Sequence, residues 1–144
     1  MARNVKETSD RTFGGNAVPA GTYFIADAII TTDKLEITGQ PTVEYDLLQV
    51  VLKADNNGQP GVELEQTLHL NGCHRTRRGA DGGKYRASGS FYDGLLAACQ
   101  GKSFTQTRDW LRANYLNKRI SLSYDLYPSQ HGGFGQVPKV EFLQ

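Results

Sequence analysis

The chain has 144 residues, of which 38% are hydrophobic, and a formal net charge of +1. That length favours one domain whose core needs no staple. No run of roughly 18 apolar residues occurs, which excludes a membrane-spanning helix, and two cysteines, Cys73 and Cys99, make no disulfide framework.

A reducing, cytoplasmic setting is therefore the default expectation. The opening "MARNVKETSD" has no apolar segment of the kind a secretory leader carries. The small net charge hides an asymmetry. Residues 1–71 carry five Lys/Arg against ten Asp/Glu, and residues 72–144 carry eleven against five. The split points to one basic face, unless strands from the two halves interleave and mix their charges.

In chain order, residues 1–17 are polar and charged and read as a flexible N-terminal arm. "VPAG" (18–21) is a turn. "TYFIADAIIT", from Thr22, is rich in β-branched and aromatic residues and predicts a strand. "TVEYDLLQVVLKA" (42–54) predicts a second, too apolar to have one wet face and therefore central or bulged. After the turn signal "DNNGQPG", "VELEQTLHL" (62–70) alternates. Val62, Leu64, Leu68 and Leu70 are expected on one face, with Glu63, Glu65, Thr67 and His69 on the other.

Next comes "CHRTRRGADGGKYR" (73–86), five cations and one acid in a glycine-rich stretch expected to lie outside regular structure. "SGSFYDGLLAACQGKS" then places Phe91, Leu95, Ala98 and Cys99 on one helical face. "TQTRDWLRANYL" (105–116) is a second helical segment, with Trp110 and Leu111 inward. "RISLSYDLYP" (119–128) predicts a strand with Ile120, Leu122, Tyr124 and Leu126 on one face. The loop "SQHGGFGQ" leads to a last strand, "VPKVEFLQ" (137–144). The order β-β-β-α(α)-β-β is that of a mainly β, five-stranded OB-fold barrel over residues 18–144, with a helical insert between strands three and four. A β-sandwich would call for about seven strands.

The basic stretch is the leading candidate site. Arg75, Arg77, Arg78, Lys84 and Arg86 offer donors to phosphates, the arginines bidentately, and the glycines let the backbone approach a ligand. Tyr85, between Lys84 and Arg86, is suited to stacking a base. Phe134, isolated among glycines, and Tyr127, on the polar face of the fourth strand, are further stacking candidates. Each has a plain alternative: a solvated loop, a hydrophobic anchor and a cross-strand pair. The spacing of His69, Cys73 and His74 fits no common zinc pattern, and Cys99 reads as a core residue, so no metal or other cofactor is expected. No nucleophile elbow, carboxylate pair or phosphate loop is present, and no enzymatic activity is expected. Glu44, Asp46, Glu63 and Glu65 would repel phosphate if they lined the binding face.

The phrases "VPAGTYFIADAII", "GSFYDGLLAACQGKSF", "NKRISLSYDLY" and "FGQVPKVEFL", in that order over residues 18–144, resemble bacteriophage-type single-stranded-DNA-binding proteins of OB fold. The resemblance implies non-sequence-specific coating of single-stranded DNA in phage or mobile-element replication or recombination. It also implies a homodimer, and replication or recombination proteins as partners. Many such proteins end in an acidic tail; here "KVEFLQ" reads as strand. The alternative is a phage protein-interaction or virion-assembly module whose basic loop binds an acidic protein.

Overall fold

The computed structural model describes residues 18–144, so the arm expected over 1–17 lies outside the described residues. Strand β1 (Gly21–Leu35) runs into β2 (Val43–Asn56), and β2 turns into β3 (Gln59–His69). The second turn is two residues long, Asn57 and Gly58, both at positive φ (53° and 86°). That geometry matches the twist of the flanking strands and favours Asn-Gly. A two-residue-per-strand hairpin follows, β4 (Arg77–Arg78) with β5 (Lys84–Tyr85). Then come helices α1 (Ser90–Cys99) and α2 (Phe104–Asn114) and strands β6 (Arg119–Pro128) and β7 (Phe134–Phe142).

The main sheet is antiparallel, in the order β3-β2-β1-β6-β7. β2 is an interior strand, paired on both sides as its apolar run predicts, and its register with β3 shifts on both sides of Lys53. β6 pairs with β1 only over Gly21–Phe24. Beyond a bulge between Ile25 and Asp27, α2 packs on β1 instead, with Arg112 Nε 2.8 Å from Asp27 Oδ1. The core lies between the sheet and the helices. It gathers Ile25, Val50, Leu52, Phe91, Ile120 and Val140, each almost wholly buried.

Local sequence explains the helix ends. Ser103 caps α2: its Oγ accepts from the Gln106 N–H, and the Gln106 side chain accepts from the Ser103 N–H. This reciprocal pair satisfies two otherwise orphaned donors. α1 begins after Gly89, where the backbone passes hard against β7. A Cβ there would fall onto the Val140 peptide.

That close pass bears on the expected barrel. β3 and β7 form no ladder with each other among the described residues, so the sheet is open at that seam. The segment before α1 occupies the β7 edge instead. The Ser88 N–H donates to Pro138 O (3.0 Å), and the Val140 N–H donates to Ser88 O (2.9 Å). Two expected core positions are also corrected. Val62 and Leu126 are 77% and 60% exposed. Val62 sits where the β2–β3 register slips, which breaks the alternation. Leu126 lies near the end of β6, next to the turn into β7.

Candidate nucleic-acid interface

The basic stretch is not irregular throughout, as its glycines led one to expect. Arg77 pairs with Tyr85 and Arg78 with Lys84 across the β4–β5 hairpin. Its tip closes through the Gly79 N–H to Gly83 O (2.9 Å) and the Gly82 N–H to Gly79 O (3.0 Å). A further bond, from the Ala80 N–H to Pro128 O (2.8 Å), ties the tip to the end of β6.

That tie brings two candidate aromatics together. The rings of Tyr85 and Tyr127 stack, with centroids 5.1 Å apart and planes 19° from parallel. Glycines make room for both rings. A Cβ on Gly79 would lie 2.9 Å from the Tyr85 ring, and a Cβ on Gly135 would overlap the Tyr127 ring. The Tyr85 hydroxyl donates to Asp81 Oδ2 (2.7 Å), and the Gly83 N–H donates to Asp81 Oδ1 (2.9 Å). These two bonds, the tyrosine's first, hold the Asp81 carboxyl below its usual range. The same carboxylate pushes the Tyr85 phenol up. Asp81 is thus an orienting group: it fixes the Tyr85 ring by one end while the stack fixes its face.

The cations surround this pair unevenly. Arg78, Lys84 and Arg86 are exposed on the hairpin and immediately after it, and Arg77 is half-buried. Arg75 is exposed just before the hairpin. Phe134 does not join the tyrosines. It is 74% exposed and lies opposite Pro128 in the β6–β7 ladder, whereas Tyr127 lies opposite Gly135. Alternation along the strands therefore turns Phe134 to the other face of that hairpin. Of the four acids weighed as a barrier, Glu63 and Glu65 are exposed on edge strand β3, which β2 and β1 separate from β6 in the sheet order, and Glu44 and Asp46 lie on β2, which β1 separates from β6.

Two contributors escaped sequence reasoning, Asp81 and Gly135. "DGGKY" carried a usable signal for the first, because Asp two residues before Gly favours a side-chain-to-backbone turn. Gly135 had none, since its role depends on which ring lies across the ladder.

The residues weighed for zinc are engaged otherwise. Cys73 is buried, and burial pushes its thiol up to about 11. The His69 Nε2 meets Gln49 Nε2 at 3.0 Å, and burial lowers the His69 pKa. Among the described residues no group of three His, Cys, Asp or Glu is placed to hold a metal ion, and no helix is long and apolar enough to cross a membrane. No family model, curated protein sequence or solved structure matches the chain.

Proposed function

We propose that the protein binds single-stranded DNA without sequence preference through the β4–β5 hairpin and the adjoining end of β6. The observation that carries this reading is the Tyr85–Tyr127 stack with Arg78, Lys84 and Arg86 exposed around it. A flat aromatic face accepts any base, and flanking cations accept any phosphate, so the combination attracts strands regardless of sequence. Both rings are already fixed, so a base joining the stack costs little side-chain entropy. An OB-type barrel is part of the same proposal. The sheet order β3-β2-β1-β6-β7 supports it, with residues around Ser88 bound to β7 where a closing strand would sit. The phage setting, the homodimer and the replication or recombination partners rest on the sequence resemblance alone.

The test is a titration with labelled poly-dT at two salt concentrations. The triple variant Arg78→Ala, Lys84→Ala, Arg86→Ala should flatten the slope of log K against log salt by up to about two units, at about 0.7 per lost phosphate contact. Tyr85→Ala should cost about 1–3 kcal/mol and leave the slope nearly unchanged. If the triple variant keeps wild-type affinity and slope, the hairpin is not a DNA site. The acidic-protein reading then takes its place.

A further inference from the structure

A concavity lies apart from the tyrosine stack, between the helices and the end of the sheet. Its volume is about 690 Å³, within the range of about 300–1,000 Å³ typical of small-ligand sites. Leu48, Leu70, Leu95, Leu96 and Phe104 supply its apolar wall. Those residues come from β2, the chain just after β3, and both helices, so the wall is set by the packing of the whole fold. Polar groups gather separately: His74, Gln100, Lys102 and Ser103 line it too, and Lys102 and His74 are exposed. Among the described residues no aspartate or glutamate lines the cleft.

We infer that this cleft binds a small amphiphilic carboxylate, its apolar body against the leucines and Phe104 and its anionic head toward Lys102. Charge decides the sign of the head group. Lys102 contributes an ammonium side chain to the rim, and no lining acid opposes it, so an anion is favoured and an amine is disfavoured. The wall decides the body. Burying an aliphatic chain against leucine is favourable in proportion to the apolar area covered, a gain that a fully polar anion could not collect. The two thiols do not change this. Cys73 and Cys99 both line the cleft, and burial holds both pKa values up, so they present neutral, weakly polar surface. None of the hairpin residues assigned to DNA contributes to the lining, so the inference stands whether or not the DNA reading does.

Calorimetry on the folded full-length protein provides the readout, and octanoate should bind with measurable heat at a single site. Octanol, the same body without charge, should bind about two- to five-fold more weakly, and octylamine more weakly still. Lys102→Ala should remove the preference for octanoate over octanol while leaving octanol binding intact. Leu96→Gln, at a half-buried wall position, should weaken both. Absence of binding heat at millimolar octanoate would overturn the site. Equal binding of all three amphiphiles, or a preference that survives Lys102→Ala, would overturn the assignment of its head group.

Discussion

Gly89→Ala tests how the open seam of the sheet is held. Gly89 has φ 103° and ψ 169°, a region essentially reserved for glycine, and occupying it with a side chain costs about 1–3 kcal/mol. Steric cost adds to this. The new Cβ would strike Val140 O and stand 2.7 Å from its carbonyl carbon and 2.9 Å from its nitrogen. All three are backbone atoms of a buried strand residue and cannot rotate away. Relief requires residues 88–89 to withdraw from β7, which breaks the two bonds between Ser88 and the strand, at about 1 kcal/mol each. The total is about 3–5 kcal/mol, a large part of the roughly 5–15 kcal/mol typical of a domain. Gly82→Ala is the control. It also has positive φ (79°) but meets nothing within 4 Å, so it should lose only the conformational term of about 1–2 kcal/mol. Denaturant melts of the two variants give the difference, and hydrogen exchange at the Val140 amide locates it. Equal midpoints for Gly89→Ala and Gly82→Ala would refute the claim that contact with β7 is what the glycine permits.

Two further outcomes follow from buried polar groups. Asn71 is 1% exposed; it accepts from the Leu48 N–H (2.8 Å) and donates to Asp46 O (2.7 Å), bracing the turn after β3 against β2. Asn71→Ala should therefore cost about 2–4 kcal/mol in a urea melt, and a loss below about 0.5 kcal/mol would show that the brace is dispensable. Cys73 predicts an alkaline effect. Its thiol is raised from 9.0 to about 11 in the folded chain, so its contribution is fully present below pH 9 and is lost as pH rises toward 11. At most about 3 kcal/mol is at stake. Stability measured across that window should fall less steeply in Cys73→Ala than in the parent, and parallel curves would contradict the assignment.

Sequence periodicity located the elements well where one face of each is dry. The helix carrying Phe91, Leu95 and Cys99 and the strand carrying Ile120 and Leu122 lie where their spacing put them. That β2 is paired on both sides was readable from its apolar run. Reading failed where pairing, not pattern, decides exposure. Val62 alternates with its neighbours in sequence, but a register slip against β2 leaves it outside. The open seam was equally hidden. Nothing in "RASGSF" says that its backbone would lie along β7, because Gly89 reads as a helix-flanking glycine until the opposing strand is known.

The candidate interface shows the same division more sharply. Charge is additive along a chain, so five cations in fourteen residues are visible at once, whatever the fold does with them. Stacking is not additive, since a ring acquires its role from a partner 42 positions away, as Tyr85 does from Tyr127. The contact depends on one backbone bond, Ala80 N–H to Pro128 O, that neither segment encodes alone. It also depends on three glycines, at 79, 83 and 135, whose value is the absence of a side chain beneath or beside a ring. Phe134 is the converse case. Its isolation among glycines made it a base-stacking candidate alongside Tyr127, yet one step along a ladder of period two sends it to the opposite face. A strand that used both rings would have to pass around the end of the β6–β7 hairpin. Tyr127 and Phe134 are therefore not interchangeable sites, even though sequence alone nominates both for stacking.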